Sequence, residues 1–301
     1  SIMKKLLENW NKFINENEQF VENEKYDKLA SVLSKPELPL AQYVAVLKRY
    51  ANDPNFDAIA TAGANDEAGP ADEVVTVKPA AVSCRSLTAT QAEIGFGNSL
   101  ADQVQNKYDA TKTALGLNGT PIVMSSKSGP VPILVYNGKF ILDGHHRWSQ
   151  IMMVNPDGKV KIDNVTGPAI DNEEEALKVM QFAIAATADK VVTKPFEGEN
   201  LMQATPQQVY NFVVKNVTDE VLQLLVQAKK IAKPDKTLAA KYIAGNLPVI
   251  KKSAGRFSRE KSMPQAGDSG VSQDAVNQAL GTGKINFDNP KVADVKKKAA
   301  E

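Results

Sequence analysis

Cysteine occurs once in the 301 residues, at Cys84, and histidine only twice. A single thiol can neither close an intramolecular disulfide nor build a Cys-based zinc site, so neither device staples this fold. One thiol fits a reducing, cytoplasmic setting. No apolar run approaches the roughly 20 residues that a membrane helix needs. The opening residues carry lysines without a long apolar stretch, so no secretory leader is expected. An excess of one charge is also missing, because 36 basic residues face 35 acidic ones and leave +1. That balance gives no general pull toward DNA or a membrane, although a local basic patch remains open. No internal repeat is visible.

What is present is a hydrophobic fraction of 43%, enough for a real core in one large or two smaller domains. Residues 4–33 place Leu6, Leu7, Trp10, Phe13, Ile14, Phe20 and Val21 near a three-to-four spacing, which predicts an amphipathic helix. Pro36 and Pro39 end it, and Ala41–Tyr50 predicts a second, shorter helix. This helical hairpin over 1–51 suits packing or homo-oligomerisation. Gly63, Asn65, Gly69 and Pro70 mark 52–72 as a linker. A β run begins at Val74, Val75 and Val77. A helix or turn is expected around Gln91, Glu93 and Ile94, and further helix over 99–115.

The informative stretch follows. Pro121–Met124 and Pro132–Tyr136 read as short strands. Asn137-Gly138 is a strong hairpin signal, and Lys139–Leu142 is the returning strand. Asp143-Gly144 ends it, and a helix starts at His145 or His146. Beyond 168, helices are expected over 172–187, 206–215, 218–231 and 236–245, with starts at Thr205-Pro206 and Thr218-Asp219. From about 253 to 301 the composition predicts an irregular segment with one helix at 271–280.

Both histidines sit in the run Asp143-Gly144-His145-His146-Arg147. Gly144 lets backbone approach a ligand. The first N–H groups of the helix lack internal partners, and the helix dipole adds partial positive charge there, which makes a ready phosphate site. Arg147 adds a forked donor, and His145 and His146 add donors that titrate near neutral pH. Asp143 offers a carboxylate for Mg²⁺ or for a proton. Taken singly, each of these residues is more often structural than functional. Five of them at one strand-to-helix junction point to an anion site. Ser125-Ser126-Lys127-Ser128-Gly129 is polar and basic but lacks P-loop spacing, and a plain surface loop is the stronger reading for it. Lys251, Lys252, Arg256, Arg259 and Lys261 with Phe257 form a basic stretch, for which a solvated loop is the bland alternative to contact with nucleic acid or phosphate.

The run Pro132–Trp148 resembles the core of the ParB/sulfiredoxin superfamily, whose members open a helix on a Gly-x-His-Arg or Asp-Gly-His-His-Arg turn. Leu87–Ile94 is similar to that family's Pro-Thr-Gln-x-Glu-Ile run, with Ala89 where proline is expected. The opening Met3–Trp10 is similar to openings of marine phage proteins. The superfamily resemblance covers about 73–167. It implies an α+β fold with a small mixed β-sheet of ParB/sulfiredoxin type, to which the sequence pattern adds flanking helical segments, among them the region 168–252. It also implies a nucleotide such as ATP or ADP and a magnesium ion or another divalent cation. Gly144, His145, His146 and Arg147 would then cradle phosphates, with Gln91, Ser126 and Lys127 nearby. Asp143 and Glu93 would be the metal or base carboxylates, and Asp143, His145, His146 and Glu93 the catalytic set. His145 stands where sulfiredoxins carry cysteine, so sulfinic-acid repair is not expected. The near-zero charge argues against chromosome partition. The leading expectation is a nucleotide-dependent phosphoryl-transfer or hydrolysis enzyme, most concretely an ATPase. The alternatives are a metal-dependent DNA nuclease, a serine-type small-molecule kinase and a non-catalytic phage structural protein.

Overall fold

A computed structural model describes residues 2–5, 38–53, 56, 75–126, 129–167 and 170–282. In chain order its elements begin with α1 (Leu40–Tyr50), β1 (Thr76–Ser83), α2 (Phe96–Val104), α3 (Ala110–Ala114), β2 (Ser125–Ser126) and β3 (Gly129–Pro130). Next come β4 (Ile133–Tyr136), β5 (Phe140–Asp143), α4 (His145–Val154), β6 (Lys159–Thr166) and α5 (Glu173–Ala188). The rest is helical: α6 (Pro206–Asn216), α7 (Asp219–Gln227), α8 (Lys236–Lys251), α9 (Arg259–Ser262), α10 (Ala266–Ser269) and α11 (Gln273–Gly281). The protein is α+β with a small mixed sheet. The helix expected over 4–33 lies outside the described residues apart from Lys4 and Lys5. Most of the 52–72 linker, and Lys127, lie outside them too.

The chain divides into two compact units made of interleaved segments. One takes Ser1–Val77, Val165–Lys194 and Arg259–Glu301, the other Lys78–Asn164 and Pro195–Ser258. The expected helical region 168–252 is therefore split, with α5 in the first unit and α6, α7 and α8 in the second. In the first unit α1 packs on α5. Glu174 accepts the Leu40 backbone N–H at 3.0 Å, and the rings of Phe56 and Phe182 lie 5.1 Å apart. The stretch after 258 is not irregular throughout, since α9, α10 and α11 form there.

The second unit is built on a four-stranded sheet in the order β1-β6-β4-β5. Asn137 and Gly138 both take positive φ (51° and 66°), as a tight hairpin turn demands. The β4–β5 ladder pairs Val135 with Ile141 but Leu134 with Asp143, so Leu142 is an extra residue and makes a bulge. Bulges re-aim the residues beside them, and this one sits next to Asp143. Pro121–Met124 does not form a strand of its own; it contributes only an isolated parallel bridge from Ile122 to Val160.

Helix α4 is the centre of this unit. Trp148, Ile151, Met152, Met153 and Val154 are all at or below 1% exposure, in one core with Ile133, Val135 and Ile141 from the sheet and Val209, Ile243 and Leu247 from the outer helices. Its last carbonyls, which have no partner inside the helix, are met from α8. Tyr242 donates to the Val154 carbonyl at 2.5 Å, and Asn246 to that of Met153 at 2.7 Å. Buried Cys84 packs beneath, its carbonyl accepting the Trp148 indole N–H at 3.2 Å.

Two expectations about local structure change. Of the helix or turn expected around Gln91–Ile94 no helix forms: Thr88 and Gln91 make isolated bridges, Ala92 is a bend, and α2 starts only at Phe96. The helix expected over 99–115 is broken, because Asn106, Tyr108 and Asp109 take left-handed backbone between α2 and α3. The Thr88–Ala92 piece is clamped from outside by residues 253–257. Ala89 donates to Ser253 at 3.0 Å, Arg256 and Phe257 donate to Thr90 at 3.1 and 2.9 Å, and Ala92 donates to Phe257 at 2.8 Å. Gly255 makes this possible, because a Cβ there would stand 2.3 Å from the Gln91 carbonyl oxygen. Gly245, exposed on α8, has open space around it. Urea unfolding should separate the two glycines. Gly255→Ala should lose about 1–3 kcal/mol by forcing the clamp open, whereas Gly245→Ala should gain up to about 1 kcal/mol of helix propensity. Equal midpoints for the two variants would contradict this packing.

Candidate functional site

The site begins at Gly144, which caps α4 in left-handed backbone (φ 109°) with no side-chain cap bond. Any Cβ at Gly144 would lie 3.0 Å from Arg147 Nη2, so the turn rests directly on the guanidinium. Around it His145 and Arg147 turn inward and His146 turns outward.

His145 turns inward and is 5% exposed. Its Nε2 accepts the backbone N–H groups of Thr90 at 2.9 Å and Gln91 at 3.0 Å. Two donors aimed at one nitrogen leave no room for a proton there, so the ring is the neutral tautomer protonated on Nδ1. Burial, aided by the Arg147 charge, pushes its pKa down to about 3. The expectation of His145 as a titrating phosphate donor and catalytic group is thereby corrected, since its nitrogen is occupied and its ring stays neutral near pH 7.

Arg147 also turns inward. Its Nη1 donates to the carbonyls of Val131 at 2.6 Å and Pro132 at 2.9 Å, and Nη2 lies 3.9 Å from Asp143 Oδ1. Burial works against its charge, and the carboxylates of Asp143 and Asp163 offset part of that. The expected phosphate fork is therefore engaged with main chain, and its charge acts on the turn from below. The Asp143 carboxyl sits above the usual carboxylate range because burial raises it more than Arg147 and the Gly144 N–H lower it.

His146 alone of the three faces outward, with its side chain about half exposed. Nδ1 meets Ser99 Oγ at 2.8 Å and Nε2 meets Gln150 Nε2 at 3.1 Å. Gln150 also donates to Asp102 Oδ2 at 2.9 Å, and Asp102 lies 3.7 Å from the imidazole. Ser99 bonds Ser149 at 2.9 Å, and Ser149 donates back to the His146 carbonyl at 2.8 Å. Neutral His146 closes this ring of bonds consistently, accepting from Gln150 and donating to Ser99. Ser99 and Ser149 are both fully buried, so the ring joins α2 to α4 and presents no serine nucleophile. Sequence reading missed it. The only trace was that Ser99 and Asp102, like His146, Ser149 and Gln150, repeat at helical spacing.

The remaining candidates divide. Gln91 is buried, its N–H on His145 and its side-chain amide donating to the Glu93 carbonyl. Glu93 lies on the same segment, half-buried. Ser126 is exposed on the β2–β3 hairpin, donating to Gly129 at 3.2 Å. That hairpin leads into Val131 and Pro132, the carbonyls that hold Arg147. Among the described residues no group of three His, Cys, Asp or Glu side chains is placed to hold a metal ion. No helix among them is long and apolar enough to cross a membrane. Arg256 and Phe257, by contrast, are docked beside Gln91, where sequence reading favoured a solvated loop.

Comparisons with protein-family models, curated proteins and solved structures find no match for this chain. What the site can do has to be judged from its own geometry.

The neutral state of His145 makes a pH prediction. Its folded pKa of about 3 lies below its ordinary 6.5, so the unfolded chain binds the extra proton between those values. Stability should therefore hold above pH 6.5 and fall as pH drops toward 3, by up to about 1.4 kcal/mol per unit from this group. Urea midpoints of wild type and His145→Gln across pH 4 to 7.5 test it. The variant should lose one proton's worth of slope, and parallel curves would refute the assignment.

Proposed function

We propose that the Gly144 turn holds the phosphates of a nucleotide, and that the protein is a nucleotide-dependent phosphoryl-transfer or hydrolysis enzyme of ParB/sulfiredoxin type, most concretely an ATPase. The observation that carries this is a helix start without a side-chain cap, on a left-handed glycine, seated over a buried guanidinium. Such a start offers N–H groups without partners inside the helix and the positive end of the helix dipole. Arg147 adds charge beneath the backbone, where solvent screens it less than at the surface. His145 and Arg147 thus act by fixing the turn, and the backbone makes the contact.

For the chemistry, Asp143 is the group best suited to take a proton from the attacking water or hydroxyl. Its carboxyl sits above the ordinary range, and general bases work best when tuned toward the operating pH. Glu93 lies two residues beyond Gln91, whose N–H meets His145. His146 has the exposure to meet a leaving phosphate. A magnesium ion on a nucleotide needs only one or two protein carboxylates, because it keeps water and takes phosphate oxygens. Glu93 would supply such a carboxylate, and the ion would neutralise phosphate charge during transfer.

The test is phosphate release from ATP in the presence of magnesium, with binding measured in parallel. Asp143→Asn should keep binding and lose turnover by roughly a hundredfold or more. His146→Glu should lose nucleotide binding by repulsion, with thermal unfolding as the check on folding because the new carboxylate faces Asp102. Wild-type protein that binds no nucleotide would sink the reading. Binding without release would remove the hydrolase and leave a binding module.

A further inference from the structure

We infer that Arg256 and Phe257 form the platform on which the base of the bound nucleotide stacks. This rests on the phosphate reading of the Gly144 turn and adds the other end of the ligand to it. The Arg256 guanidinium lies over the Phe257 ring at 4.4 Å, with Arg256 exposed and Phe257 half-buried. A guanidinium on an aromatic ring presents a flat cationic face, and such faces stack nucleobases of any identity.

Position makes this pair more than a surface ornament. Phe257 bridges Gln91 in parallel register, and the Gln91 N–H in turn lies 3.0 Å from the His145 ring. The piece Thr88–Ala92 is thus held on one side by the imidazole that opens α4 and on the other by the segment that carries the platform. The platform and the phosphate turn are thus linked through Gln91, by one bridge to Phe257 and one hydrogen bond to His145. The clamp is specific, because Gly255 approaches the Thr90–Gln91 backbone so closely that no side chain fits. A loop that merely displayed solvated charge would not need that approach.

Comparing ATP with inorganic tripolyphosphate separates the platform from the turn. Equilibrium binding of both ligands is measured on wild type, Phe257→Ala, Phe257→Leu, Phe257→Trp and Arg256→Ala, with thermal unfolding as the check on folding. Wild type should prefer ATP. Phe257→Ala and Phe257→Leu should weaken ATP roughly tenfold and leave tripolyphosphate unchanged. Arg256→Ala should weaken ATP more than tripolyphosphate, and Phe257→Trp should restore ATP binding. The leucine variant keeps the buried bulk, so its loss reports the aromatic face and not the fold. Unchanged ATP affinity in the leucine variant, or equal losses for both ligands, overturns the platform while the phosphate site stands. Failure of wild type to bind either ligand removes the phosphate site itself. A fluorescent thymidine oligonucleotide that binds more tightly than ATP and depends on Phe257 would assign the platform to a nucleic-acid strand and overturn the inference.

Discussion

Two backbone N–H groups, those of Thr90 and Gln91, converge on the single Nε2 of His145, and the geometry around the Gly144 turn depends on that contact. It ties the first residue of α4 to the Thr88–Ala92 piece. The same piece joins the sheet through Thr88, which donates to Lys139 at 2.8 Å and accepts from Ile141 at 2.9 Å. On its far side it receives the 253–257 segment. Remove the imidazole and two buried donors are orphaned, at about 1–3 kcal/mol each. The turn, the sheet edge and the outer segment would then lose their common reference. A neutral ring is the condition for all of this, and burial supplies it.

That condition shapes the electrostatics of the turn. A protonated His145 beside Arg147 would put two like charges in a dry interior, where each is costly. The fold keeps one charge, the guanidinium, and satisfies it with the Val131 and Pro132 carbonyls and the nearby Asp143 carboxylate. Positive potential under the Gly144 backbone is therefore fixed before any ligand arrives. Fixed dipoles and charges need no reorganisation, which is the main reason such sites stabilise developing phosphate charge better than water does.

Local signals in the sequence were followed closely by the fold. Asn137-Gly138 forms the tight turn between β4 and β5. Thr205 and Thr218 cap α6 and α7, the first in a reciprocal capping box with Gln208. Each of these choices is settled within a few residues. What was not legible depends on distant partners. The bridge that Gln91 makes, and the bond its N–H gives, come from Phe257 and His145, far along the chain. Interleaving of the two units is likewise invisible to a residue-by-residue pass. The box shows the same limit inside five residues. Its composition marked an unusual junction, but composition does not say which way a side chain points, and two of the three candidate donors serve the protein's own backbone.

Backbone and side-chain recognition of phosphate differ in how they answer to salt. Lysines and arginines on a surface release counterions when they meet a polyanion, so their affinity falls steeply as ionic strength rises. Charge held below a helix start is shielded by protein and is screened far less. With a net charge of only +1, this chain has little long-range attraction to lend to a nucleic-acid strand, so affinity at the proposed site would come from short-range contacts at the turn. Such contacts would suit a ligand carrying a compact group of phosphates better than one carrying phosphates along a strand. The Arg256 guanidinium over the Phe257 ring adds a flat face more than it adds a field. In the proposed site Arg147 below and Arg256 beside would have different tasks, the first to polarise the turn and the second to meet a ring.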